Sequence, residues 1–227
     1  MNGNNNGNNK DNSSETIKDM ASVEVSCKAG RIYCLTIVGE IEGHTSAPNN
    51  CKTTKYEHVI PELVRIEQDN EVDGLLIMLN TIGGDVEAGL AMAELIASMS
   101  KPTVSIVLGG GHSIGVPLAV SAKKSLIVPS ATMTVHPIRT NGVVITAPQT
   151  FEQMTKLQER LIEFVAKHSG IKEKRFRDMM LSCENISNDI GTVLYGEEAV
   201  ECGLIDRVGG ISEAIDAIGK MVSYKKN

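Results

Sequence analysis

Ser113 lies in the run Gly109-Gly110-Gly111-His112-Ser113-Ile114-Gly115, between the β-branched stretch Thr103–Leu108 and the apolar stretch Val116–Ala122. The first stretch reads as a buried strand and the second as a short helix. A serine on a glycine-rich turn at such a junction is accessible, and the next amide, that of Ile114, opens a helix. Helix starts carry unpaired N–H groups and a dipole that favour a negative oxygen. A second junction repeats the arrangement. Leu75–Leu79 is a continuous apolar run, followed by Asn80-Thr81-Ile82-Gly83-Gly84-Asp85 and then a helical pattern from Ala88 to Met99. Amides at Gly83 and Gly84 are candidate donors to an oxyanion. A third segment, Ala131–Pro137, is a short strand-like run that ends in His136. An imidazole there can take the proton of an attacking hydroxyl.

Each feature also has a structural reading. A turn serine caps helices, Asp85 is a good N-cap, and a lone histidine more often packs than reacts. His44, His58, His112 and His168 are read that way. His136 differs because it ends a strand, as Gly84 and Ser113 do. In open parallel sheets, sites gather at the carboxyl ends of strands.

The elements that must position these residues follow from pattern. Residues 1–19 are rich in Asn, Gly and Ser and are expected to be disordered. Residues 20–222 are expected to form one α/β domain of strand-turn-helix units on a mostly parallel sheet, and 223–227 a short polar tail. Ser22–Ser26, Ile32–Val38, Ser125–Val128, Thr132–Val135 and Val143–Thr146 read as strands, and a helix is expected from Pro61 to Gln68. Thr150 with Gln153 reads as a capping box opening a long helix. Its apolar stripe is Phe151, Met154, Leu157, Leu161, Phe164 and Val165.

Composition narrows the function. A net charge of −6 argues against a nucleic-acid surface, and Lys172–Arg177 reads as a solvated helix face. Five cysteines show no CxxC pair and no metal-ligand spacing, so reduced thiols in the cytoplasm are expected. No charged n-region followed by an apolar run opens the given sequence, so no secretory signal is expected. The longest apolar stretch, Thr103–Ala122, is broken by glycines, His112 and Pro117, so no membrane span is expected.

Taken together, the segments resemble the ClpP family of serine peptidases. Asn80-Thr81-Ile82-Gly83-Gly84 is similar to that family's Asn-Ser-Pro-Gly-Gly, and Ser113-Ile114-Gly115 to its Ser-Met-Gly. Met133–Pro137 is similar to its Met-Ile-His-Gln-Pro with one residue missing. Gly196–Asp206 looks like its C-terminal helix and strand. The strings Thr53–His58, Gly83–Gly89 and Gly110–Pro117 resemble one branch of the family in particular. The resemblance covers about residues 31–216. It implies a ClpP/crotonase-like fold in which the long helix is a protruding handle. The handle stripe, Leu157 and Leu161 included, would then meet an opposing ring.

The resemblance also implies roles. Ser113 would be the nucleophile, His136 the general base, and the amides of Gly84 and Ile114 the oxyanion donors. The family's aspartate is harder to place. Counting back from Glu198 without a gap reaches Gly191, while Asp189, the favoured orienting acid, lies two residues earlier and Asn188 is an alternative. The implied activity is ATP-independent hydrolysis of peptides or unfolded proteins in a homo-oligomer, most simply of heptameric rings, without metal or organic cofactor. Three departures stand out. Ile82 replaces a proline, His112 replaces a small residue, and an Asn-rich tail replaces the segment that helps contact a Clp-type ATPase, which leaves that partner doubtful. The rival functions are an inactive ClpP-like assembly or binding subunit and a crotonase-type acyl-CoA enzyme.

Overall fold

The computed structural model describes residues 22–27, 30–48, 50–140, 146–183 and 190–226. Among these the chain runs β1 (Val23–Cys27), β2 (Gly30–Glu42), β3 (Thr53–Lys55), α1 (Tyr56–Gln68), β4 (Gly74–Gly84) and α2 (Val86–Ser98). It continues β5 (Thr103–Gly111), α3 (Gly115–Val120), β6 (Lys124–Ile127), β7 (Thr132–Val135), α4 (Ala147–His168) and α5 (Glu173–Met180). It ends β8 (Thr192–Tyr195), α6 (Gly196–Glu201), β9 (Arg207–Val208) and α7 (Ile211–Lys226).

The main sheet has the order β1-β2-β4-β5-β6-β9, with β3 added beside β2. Its β2·β4, β4·β5, β5·β6 and β6·β9 pairs are parallel, and β1 closes on β2 antiparallel. Parallel strands need both faces covered, which accounts for the continuous apolar runs in β4 and β5. Successive side chains of a strand point to opposite faces. Tyr33, Leu35 and Ile37 of β2, with Leu75, Ile77 and Leu79 of β4, therefore join the larger core, which also takes up residues of α1 to α5. Ile32 and Cys34, with Leu76, Val104, Ile106 and Leu126, face the other way and lie under Ala214, Ile218 and Val222 of α7.

Helix boundaries depart from the sequence reading at several places. α1 begins at Tyr56 and carries Pro61 within it, so the proline lies inside the helix. α4 begins at Ala147, with Thr146 as N-cap and a proline in its first turn. Proline at that place is favoured because its missing N–H would be unpaired anyway and its φ is already helical. The capping box at Thr150 and Gln153 therefore does not form; the Thr150 N–H donates to the Thr146 carbonyl instead. The expected strand at Val143–Thr146 falls largely outside the described residues, as does the expected tail at 1–19. Residues 223–226, expected as a polar tail, continue α7.

Two regularities break near the chemistry. Between Leu79↔Val107 and Thr81↔Gly111, two residue steps of β4 span four of β5. Bulges of this kind re-aim side chains at strand ends. The extra backbone is held by the Asn80 carboxamide, whose Oδ1 accepts from the Gly110 N–H at 2.9 Å. Beyond the bulge, β7 meets β5 at one parallel position, Gly110↔Thr132, and pairs antiparallel with β8 from Thr132↔Tyr195 to Val135↔Thr192.

Candidate active site

Ser113 is the described non-glycine residue with positive φ, at 56°. The left-handed region is costly for a side chain with a Cβ, by about 1–2 kcal/mol, and such angles persist where surrounding contacts enforce them. The contacts are visible here. The Ser113 N–H donates to the Thr134 carbonyl at 2.8 Å, the His112 N–H to the Thr81 carbonyl at 3.2 Å, and the Gly115 N–H to the His112 carbonyl at 2.8 Å. The turn is thus tied to β4 on one side and β7 on the other. The sequence reading assigns the unusual angles to the glycine run. The structure puts the positive φ on Ser113, and on Gly83 and Gly84 of β4, at 94° and 149°.

Gly83 sits directly against the serine. A Cβ built on it would lie 2.7 Å from the Ser113 Cβ and 3.0 Å from the His112 carbonyl oxygen. Thr81 fixes this turn. Its hydroxyl donates to the Gly39 carbonyl at 2.6 Å and accepts from the Gly83 N–H at 3.0 Å. The Asp85 N–H donates to the Ile41 carbonyl at 2.9 Å, and the Asp85 carboxylate caps α2 by accepting from the Ala88 N–H at 2.8 Å. Gly84 lines the same cleft as Ser113. Gly83 is buried and Gly84 exposed. Ile114 is the N-cap of α3, and its side chain is fully buried in the larger core.

His136 follows the last residue of β7 and is partly buried. Its Nδ1 lies 2.7 Å from the Pro137 carbonyl oxygen. A carbonyl only accepts, so Nδ1 carries the proton and the neutral ring keeps its lone pair on Nε2. Ser113, His136 and Gly84 line one cleft of about 120 Å³. Val116, Leu161, Phe176 and Met180 give it an apolar wall from α3, α4 and α5, and Arg139 stands at its edge. A larger hollow of about 400 Å³ lies between α7 and β6–β9 and holds none of the candidate residues. Size therefore does not identify the site; the meeting of a nucleophile, a base and an apolar wall does.

Asp189 and Asn188 lie outside the described residues. What frames them is described. The Gly191 N–H donates to the Ser182 carbonyl at 2.7 Å, which joins the two ends of that segment. Gly191 has φ 138°, and a Cβ there would come within 2.9 Å of the His136 Cβ. The position reached by ungapped counting is thus pressed against the histidine and takes no side chain.

The sequence does not single out Thr81, Thr134 or the Pro137 carbonyl, nor the apolar wall from α4 and α5. Thr81 stands where the resembling segment has serine, which is the available signal. Of two other histidines, His44 meets Tyr56 edge-on and His168 lies on Phe164. Cys34, Cys51, Cys183 and Cys202 are not joined in disulfides. Among the described residues no His, Cys, Asp and Glu cluster suits a metal ion, and no helix is long and apolar enough to cross a membrane.

A family model for Clp proteases matches residues 34–212. The chain is 54% identical over 213 residues to the translocation-enhancing protein TepA of Halalkalibacterium halodurans, which spans 93% of this chain and 83% of that protein. It is 24% identical over 155 residues to the ATP-dependent Clp protease proteolytic subunit of Deinococcus radiodurans, or 66% of this chain and 72% of that one. In fold it is similar to a ClpP1 point mutant from Listeria monocytogenes, with a TM-score of 0.65 at 17% identity over 89% of this chain and 98% of that one. The mostly parallel sheet, the glycine turns and the cleft all fall inside the matched span, and the chain belongs to the Clp protease family.

Proposed function

We propose that the protein is an ATP-independent serine endopeptidase acting on peptides or unfolded proteins in the cytoplasm, within a ring-shaped homo-oligomer. The observation that carries this reading is Ser113, held at φ 56°, lining the same cleft as His136, whose Nδ1 is committed to a carbonyl. His136 Nε2 takes the hydroxyl proton as Ser113 Oγ attacks a substrate carbonyl. The amides of Gly84 and Ile114 receive the oxyanion, and loss of one such donor costs about 2.7–4 kcal/mol of barrier. The imidazolium returns its proton to the leaving amine, and water releases the acyl group by the same base. Asp189 is the proposed orienting acid. No cofactor takes part in these steps.

A fluorophosphonate probe tests the reading. Peptide mapping of the labelled protein should place the adduct on Ser113. An unlabelled protein would instead favour the non-catalytic subunit.

Assembly rests on α4. Its C-terminal half is spent inside the subunit: Leu161, Ile162, Phe164 and Val165 are buried in the larger core. Leu161 also lines the cleft, so a charge there would damage the site itself and could not report on ring contacts. The N-terminal half is different. Phe151 is 76% exposed, and a charge there is harmless to an isolated subunit. Phe151→Asp is therefore expected to leave the melting temperature of the subunit unchanged while dissociating rings into smaller species. Analytical ultracentrifugation at several concentrations reads the change. Unaltered sedimentation would remove the handle face from the assembly.

A further inference from the structure

We propose that His112 is a positioning residue of the Ser113–His136 pair and that it acts only while neutral; this rests on the peptidase reading above. The imidazole of His112 is half-buried next to the nucleophile, with Nδ1 2.8 Å from the Thr134 hydroxyl. Thr134 does two things at once. Its side chain holds His112, and its main-chain carbonyl accepts the Ser113 N–H at 2.8 Å. Two residues further along the chain, just past the end of the same strand, stands His136. One threonine thus links the second imidazole, the nucleophile's backbone and the strand that carries the base.

The ring has a built seat. It lies over Gly110, where a Cβ would come within 2.7 Å of both His112 Cδ2 and Nε2. Only a residue without a side chain at 110 leaves room for this imidazole, so the glycine and the histidine are fitted to one another. The described surroundings of the ring include Thr134 of β7, His136 just past the end of that strand, and Gly110 of β5. Among the described residues His136 is the charge that acts on it. Burial and then the nearby His136 hold His112 below the usual histidine range. It is therefore neutral when the pair works, and it gains a proton only in acid.

That proton matters in two ways. A cationic ring donates from both nitrogens, so the Thr134 hydroxyl can then only accept. A positive charge then also stands beside His136, which must itself become positive as Ser113 attacks. Like charges in a partly desolvated site oppose each other. Protonation of His112 thus removes activity independently of protonation of His136, and the acid limb involves two protons.

The rate of fluorophosphonate labelling at Ser113, followed against pH, tests this in the full-length protein. Wild type should lose labelling in acid more steeply than a single protonation allows. His112→Asn keeps a polar partner for Thr134 but cannot titrate, so its labelling, measured against its own alkaline rate, should fall with one-proton steepness. Thr134→Val, which removes the link, should label about tenfold more slowly at every pH, as a small misplacement of the pair requires. Equal steepness in wild type and His112→Asn, or an unchanged rate in Thr134→Val, would overturn the proposal. Absence of labelling in wild type at all pH values would overturn the peptidase reading itself, and this proposal with it.

Discussion

Ser113→Ala is expected to reduce kcat/KM for unstructured peptides by a factor on the order of 10⁶, as removal of the nucleophile does in comparable triads. The loss should come without unfolding, because the alanine keeps every main-chain bond of the turn. His136→Ala should be about as severe, and the double variant no worse than either single one, since the two act as a unit. Hydrolysis of fluorogenic peptides by the purified protein gives the numbers, with circular dichroism as the check on folding. Activity surviving in Ser113→Ala would mean another nucleophile or a contaminant. Asp189→Ala separates two ways of orienting the base. A carboxylate partner predicts a loss of about 10⁴. If Asp189→Ala instead keeps nearly full turnover, the Pro137 carbonyl 2.7 Å from Nδ1 holds the tautomer by itself.

Gly83→Ala is the second large effect, and its origin is steric. The position has φ 94°, and the added methyl would stand 2.7 Å from the Ser113 Cβ. Real Cβ atoms do not approach so closely, so either β4 or the serine must move. The Thr81 hydroxyl and the Asp85–Ile41 bond anchor β4 on both sides of Gly83, so the serine gives way. The variant should lose about 1–3 kcal/mol of stability through strain. It should lose about 10²-fold in turnover through misplacement of the nucleophile. Gly210→Ala is the control. Its nearest neighbour, a Glu213 carboxylate oxygen, would be 3.4 Å away, and both stability and activity should be unchanged. Equal activity in Gly83→Ala and wild type would show that close packing of Gly83 on Ser113 does not constrain the nucleophile in solution.

Much of the frame is legible in the sequence. Unbroken apolar runs mark β4 and β5 as strands covered on both faces, and the glycine junctions mark their carboxyl ends. Because parallel strands end on one side of the sheet, placing Ser113 and Gly84 at such ends is enough to expect them together. The reason for the glycines is not legible. Gly110 yields space to the His112 ring and Gly83 to Ser113, and spacing alone does not separate close approach from unusual torsion. The start of α4 escapes the pattern because Thr150 and Gln153 have the right chemistry for a cap while Pro148, two residues earlier, already fits the first turn. Pairing of β7 with β8 joins Thr132 to Tyr195, a separation over which local pattern carries no signal. The Nδ1 bond of His136 is a matter of rotamer, which no motif encodes.

The β7–β8 ribbon has a consequence for how this protein is assayed. Ser113, the proposed nucleophile, follows β5 of the main sheet and His136, the proposed base, follows β7 of the ribbon, and the two parts meet through the Gly110↔Thr132 position and the Ser113–Thr134 bond. Met133, Val135 and Leu194 hold the ribbon in the larger core. A displacement of about an ångström would keep those side chains buried and yet silence the chemistry. Melting curves and turnover on this protein therefore measure different things. A variant library ranked by thermal shift would retain, as healthy, subunits whose base has slipped out of reach of its serine.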